Sequence, residues 1–99
     1  MARKNTMALK RSAAQPKKVQ FAFEAPNAKS VTLAGSFNNW NATATQLKKG
    51  KGKIWKKDLS LKPGRYEYKF VVDGNWTADP KNNNRAWSSL GTENSVIEV

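Results

Sequence analysis

The segment Arg65–Asp73 reads Arg-Tyr-Glu-Tyr-Lys-Phe-Val-Val-Asp, and its alternation limits what the chain can become. Drawn out as a strand, it sends Tyr66, Tyr68, Phe70 and Val72 to one side and Arg65, Glu67, Lys69, Val71 and Asp73 to the other. One side is apolar enough to bury and the other is not, so the segment specifies a sheet strand with a core behind it. Punctuation stands at both ends. Pro63-Gly64 favours a tight turn, and Asp73-Gly74 is a hairpin signal.

Shorter stretches repeat the pattern. Val19, Phe21 and Phe23 alternate with Gln20, Ala22 and Glu24 in a half-buried strand that ends before Pro26. Ser30–Ala34 alternates again with Val31 and Leu33 inward, and Gly35–Trp40 leaves the strand. Residues 41–53 are polar and carry Lys48, Lys49, Lys51 and Lys53 among glycines, the composition of a mobile loop. Ile54–Leu61 is a third strand, with Trp55, Leu59 and Leu61 on one face, which Lys57 shares imperfectly. Asn75–Ala78 is a brief strand, an Asn-rich loop follows to about Gly91, and Ser95–Val99 closes the sheet. Several short strands between turn signals, with no helical pattern from Lys18 onward, predict an all-β sandwich.

The 99 residues make one domain with one small core, and leave little room for a deep catalytic cleft. The chain has no cysteine, hence no disulfide framework and no thiolate metal site; this fits a reducing cytosol, so a cytoplasmic location is expected. It also has no histidine, which removes the commonest general base near neutral pH and the commonest metal ligand. No metal or other cofactor is called for. No apolar run approaches a membrane span, and no apolar segment follows the basic N-terminus, so neither a membrane partner nor a secretory signal is expected. Residues 1–18 hold six bases and no acid, so +6 of the formal +11 lies there and +5 remains. Residues 1–17 read as a flexible basic arm and residues 18–99 as the folded domain.

Two tryptophans stand where a small core covers them poorly. Trp40 follows an Asn pair that favours a turn, and Trp76 follows the Asp73-Gly74 hairpin turn. Such a ring is either a rim aromatic or a platform for a ligand with a flat apolar face. A glucose ring is such a ligand, with C–H bonds on its faces and hydroxyls around its equator. Lys69, on the outward side of Arg65–Asp73, is either a solvated lysine or a donor to those hydroxyls. Leu90, Thr92 and Asn94 lie before the last strand around Gly91, which permits a tight backbone. Trp55 shares its face with Leu59 and Leu61 and belongs in the core.

Four motifs bring these residues together: Gly-Ser-Phe-Asn-Asn-Trp (35–40), Tyr-Lys-Phe-Val-Val-Asp-Gly (68–74), Asn-Trp-Thr-Ala-Asp-Pro (75–80) and Leu-Gly-Thr-Glu-Asn (90–94). Through them residues 18–99 resemble family-48 carbohydrate-binding modules. These occur as the glycogen-binding domain of AMP-activated protein kinase beta subunits and, as early-set domains, at the N-termini of isoamylase-like debranching enzymes. The resemblance implies an immunoglobulin-like β-sandwich and non-catalytic binding of α-1,4-glucan, either glycogen or starch-like chains or maltooligosaccharides. It implies that Trp40 and Trp76 stack on consecutive glucose units. Lys69 and Thr92 would hydrogen-bond hydroxyls, Asn94 would make a bidentate contact, and Leu90 would reach past a glucose unit. Trp87, in the Asn-rich loop, is either a third aromatic contact or a lid over the core edge.

A glycosidase would need two carboxylates facing one bond, whereas Asp73 and Asp79 lie in turn motifs beside Glu67 and Glu93, so no enzyme is expected. The alternative reading is polyanion or nucleic-acid binding through the basic arm and the 48–53 loop, although no nucleic-acid motif is present. In an adaptor, the sandwich would hold glucan while the arm docks a protein partner.

Overall fold

A computed structural model of the chain describes residues 15–99. The expected arm therefore lies outside the described residues but for Gln15–Lys17, and Lys17 already opens the first strand. Eight strands follow in order: β1 (Lys17–Glu24), β2 (Val31–Gly35), β3 (Lys48–Lys49), β4 (Ile54–Leu61), β5 (Arg65–Val72), β6 (Asn75–Thr77), β7 (Arg85–Trp87) and β8 (Glu93–Glu98). One sheet orders its strands β1-β4-β3; the other runs β2-β5-β8-β7, with β6 also paired to β5. All pairings are antiparallel. Among the described residues there is no α-helix, hence none long and apolar enough to cross a membrane. The architecture is the immunoglobulin-like β-sandwich that the alternation and the resemblance predict.

Aromatic side chains join the sheets. From β5, Tyr68 and Phe70 point inward and are almost wholly buried. Phe21 of β1 meets Tyr68 edge-on with ring centroids 5.0 Å apart, and Phe23 meets Phe70 at 4.9 Å. Both distances fall in the range where ring quadrupoles attract. Trp55 is buried as expected, and its indole Nε1–H donates to the Ala25 carbonyl at 3.0 Å, which satisfies the polar end of a core residue. Lys57 opposes the buried Phe21 yet is exposed: β3 pairs only as far as Lys56, so Lys57 lies at an open sheet edge where its ammonium reaches water.

The polar stretch 41–53 departs from the mobile loop expected of it. Leu47, its one large apolar residue, is buried in the core cluster. The Leu47 N–H donates to the Val31 carbonyl at 2.9 Å, and the Leu33 N–H donates to the Thr45 carbonyl at 2.9 Å, fastening the stretch to β2. Beyond it, Lys48 pairs with Lys56 and Lys49 with Trp55, and a single 3₁₀ turn at Lys51–Lys53 returns the chain to β4. The Lys49 ammonium donates to the Pro26 carbonyl at 3.0 Å. Burial of one leucine outweighs the loop-like composition around it.

The Asn-rich loop likewise contains an unexpected strand. Arg85, Ala86 and Trp87 pair with Ser95, Asn94 and Glu93. A polar network holds the approach to it. The buried Tyr68 hydroxyl donates to Asp79 Oδ2 at 2.7 Å and accepts from Asn82 Nδ2 at 3.1 Å; burial, above all, pushes the phenol well above its ordinary range. The Arg85 guanidinium donates to the Asn82 and Asp79 carbonyls, each at 2.8 Å. Asn82 Nδ2 also donates to the Val96 carbonyl at 2.9 Å, so this asparagine satisfies backbone rather than solvating a loop. The last strand also starts earlier than predicted, so that Asn94 lies within β8 and not before it.

Leu47 gives a direct test of this fold. Leu47→Ala should destabilise the domain by about 2–5 kcal/mol, as for other buried leucines, whereas a mobile loop would tolerate it with no measurable shift in a denaturant melt.

Candidate functional site

The outward face of β5 forms the floor of a groove. Arg65, Glu67 and Lys69 stand on it at alternate positions, opposite the core residues Tyr66, Tyr68 and Phe70. Neighbouring groups hold each of the three. Arg65 Nη1 donates to Glu67 Oε2 at 2.8 Å, and Asn94 Nδ2 donates to Glu67 Oε1 at 3.0 Å. The Lys69 ammonium donates to Thr92 Oγ1 at 2.7 Å, and that hydroxyl is also within hydrogen-bond reach of Ser88 Oγ at 3.2 Å. The hydrogen bond from Asn94, then that from Arg65, holds the Glu67 carboxyl below its ordinary value of 4.5. Asn94 is nearly buried, so its side chain is fixed before any ligand arrives.

One wall comes from the turn after β2. Gly35 is required there by close approach: a Cβ would sit 2.6 Å from the Glu67 carbonyl oxygen and 2.8 Å from the Phe37 ring. Asn38 ties the turn together. Its Oδ1 accepts from the Gly35 N–H at 3.0 Å, and its Nδ2 donates to the Leu33 carbonyl at 2.9 Å and to Thr45 Oγ1 at 3.1 Å. Asn39 and Trp40 then both adopt positive φ, 57° and 59°, an uncommon conformation for a bulky residue such as Trp40. The Trp40 N–H returns to the Gly35 carbonyl at 2.9 Å. The turn thereby holds an indole out of the core.

The opposite wall is Trp76 on β6, presented by the hairpin turn in which Asp73 and Gly74 both have positive φ, as a primed turn demands. Asp73 Oδ1 fastens this turn by accepting from the Lys29 and Ser30 N–H groups at 2.9 and 2.8 Å. A third side comes from the β7–β8 hairpin, where Ser88 N–H donates to the Thr92 carbonyl at 2.7 Å and Gly91 turns at φ 83°. Leu90 stands at its tip. Trp40, Trp76, Trp87 and Leu90 are the exposed large apolar side chains of the described domain, at 36, 49, 73 and 88% exposure, and all four border this groove. Apolar surface gathered so makes this groove the candidate binding face.

The cavity measures about 910 Å³. It brings together every residue singled out from the sequence: Trp40, Lys69, Trp76, Leu90, Thr92 and Asn94, and also Trp87. Ser36, Arg65, Glu67, Ser88 and Ser89 complete it and were missed. The signal for Arg65 and Glu67 was present, since both alternate on the Lys69 side of one strand. Ser36, Ser88 and Ser89 carry no local signature. Glu67 is the one carboxylate in the lining; Asp79 accepts from the Lys81 N–H and the Tyr68 hydroxyl, and Glu93 faces Arg85 at 3.8 Å. A lone carboxylate does not make the pair that glycoside hydrolysis needs. Among the described residues no three His, Cys, Asp or Glu side chains gather as metal ligands.

The family described as the glycogen recognition site of AMP-activated protein kinase matches residues 17–99. The chain belongs to that family. Relatives include protein PTST homolog 2, chloroplastic, from Arabidopsis thaliana, 46% identical over 75% of this chain and 14% of its own length. The 5'-AMP-activated protein kinase subunit beta-1 of Sus scrofa is 41% identical over 72% of this chain and 55% of that sequence. The chain thus spans less than two thirds of these relatives. The fold resembles part of a maltogenic amylase from S. marinus, with a TM-score of 0.66 and 23% identity over 83% of this chain and 13% of that one. As a member of the glycogen-recognition family, this chain is a non-catalytic carbohydrate-binding module.

Two outcomes follow from the geometry. Trp40→Ala and Trp76→Ala should each change stability by under about 1 kcal/mol, while Trp55→Ala should cost about 3–5 kcal/mol in thermal or denaturant melts. Because the folded Glu67 carboxyl lies below 4.5, its contribution is fully present above that value and is lost as pH falls through the lowered one. The stability difference between the wild type and Glu67→Gln, within about 1 kcal/mol at neutral pH for a half-exposed pair, should therefore shrink toward zero in melts at acid pH.

Proposed function

We propose that the groove holds a neutral α-1,4-linked glucan, glycogen or starch-like, with no chemistry performed on it. One observation carries the reading: two exposed indoles flank a floor whose hydrogen-bonding groups are already fixed. Trp40 and Trp76 stack on consecutive glucose units, Lys69 and Thr92 bond their hydroxyls, Asn94 offers its remaining amide atoms to a neighbouring pair, and Leu90 reaches past a unit. Trp87, exposed on the groove rim, acts as a third aromatic contact rather than a lid. Family membership supports the ligand class.

Each stacked ring contributes on the order of 0.5–1.5 kcal/mol beyond area burial. A shallow groove of this kind gives affinities of about −4 to −8 kcal/mol, millimolar to micromolar. Glycan capture of this strength suits a targeting or adaptor module, with the basic arm docking a protein partner.

Polyanion binding through the 48–53 segment is the weaker reading. Lys48 and Lys56 do stand opposite each other on the three-stranded sheet, but Lys49 is engaged with Pro26, Trp55 beside it is buried, and the exposed tryptophans border the groove on the other sheet.

Titration with maltoheptaose, followed by tryptophan fluorescence, should saturate in the millimolar range or below and shift little with added salt, because the ligand is uncharged. Trp76→Ala should weaken binding about tenfold or more, the share of one stacked ring with its buried area. Absence of saturation at millimolar sugar, or normal binding by Trp76→Ala, would overturn the reading.

A further inference from the structure

Trp76 borders two depressions. Besides the groove with Lys69 there is a second of about 470 Å³, walled by Trp76, Val71, Thr32, Gln46, Ser30 and Thr43. Strand register explains why the two adjoin. Trp76 pairs with Val71, Val71 with Thr32, and Thr32 bridges to Gln46. Residues paired directly across strands stand on the same face of a pleated sheet, so these four form one row. Val71 is two residues along β5 from Lys69, so the row continues the floor of the main groove on the same face. The loop that presents Trp40 to the first depression passes Thr43 along the second.

The second depression shares part of the chemistry of the first, without its Arg65–Glu67 pair and with Lys29 in its lining. It offers an amide at Gln46, hydroxyls at Ser30, Thr32 and Thr43, and apolar surface at Trp76 and Val71. The Thr32 hydroxyl is buried in the wall without a hydrogen-bond partner in the protein. No carboxylate lines the depression. Exposed Gln46 and Ser30 have side chains free of hydrogen bonds within the described residues, unlike Thr43, whose hydroxyl bonds Asn41.

We infer that a linear glucan in the main groove continues over the Trp76 indole and seats its next glucosyl units in this second depression, where Gln46 and Ser30 bond their hydroxyls. The inference rests on the reading of the main groove as a glucan site. It makes affinity depend on chain length: a short oligosaccharide fills the first depression, and a longer one occupies both.

The test uses the full chain, maltotriose and maltoheptaose, calorimetric titration and amide-shift mapping. The wild type should bind maltoheptaose more tightly than maltotriose, and only the longer sugar should shift the Thr32 and Gly74 amides. The double variant Gln46→Ala/Ser30→Ala removes two exposed side chains and should melt like the wild type. It should lose about three- to tenfold of its affinity for maltoheptaose and none for maltotriose. Unchanged maltoheptaose affinity in that variant, or unmoved Thr32 and Gly74 amides, overturns the second subsite while leaving the main groove standing. Failure of the wild type to bind either sugar overturns the main groove and the second subsite together.

Discussion

The two-residue period of β5 is the constraint on which the rest of the molecule depends. Its inward residues, Tyr68 and Phe70, are held between the sheets by Phe21 and Phe23. Its outward residues, Arg65, Glu67 and Lys69, are the floor of the groove. The pleat leaves no freedom to move one set without the other, since a slip of one residue would exchange the aromatic face for the charged one. Core packing therefore fixes where the site's polar groups stand.

Around that strand, the walls of the groove are held by polar contacts rather than by burial. Asn38 closes the turn carrying Trp40, Asp73 closes the turn before Trp76, and the Lys69–Thr92 and Asn94–Glu67 hydrogen bonds join β5 to the β7–β8 hairpin. This division suits a shallow binding face. An indole meant for a ligand must remain outside the core, so backbone and amide hydrogen bonds have to set its place. Groups fixed in advance lose little freedom on binding, which matters for a shallow site of the strength proposed above.

Much of this was legible in the chain itself, and the exceptions share a cause. The alternation predicts β1, β2, β4 and β5, and Asp73-Gly74 predicts the hairpin to β6. Trp55 reads as core because its face carries Leu59 and Leu61. By contrast β3 is two lysines and β7 is Arg-Ala-Trp, neither long enough to show a period. Each exists because the next strand along the chain, held in the sandwich by its other neighbour, offers an open edge, at Trp55–Lys56 for β3 and at Glu93–Ser95 for β7. Leu47 was passed over as one apolar residue among polar neighbours, and what buries it is the core cluster it joins with Val31, Leu33 and Trp55.

By itself the sequence determined the sandwich class and the inward and outward faces of its longer strands, because these follow from period, which is local. Which side chains are candidates for a sugar was implied by the resemblance of four short motifs. Only the tertiary structure decided that Trp40, Trp76, Trp87 and Leu90 surround one groove, that Glu67 and Arg65 belong to its floor, and that Asn94 is fixed within β8. Those facts depend on which strands become neighbours and in what register. That choice is made by the burial of the whole core at once, and no short stretch of the chain contains it.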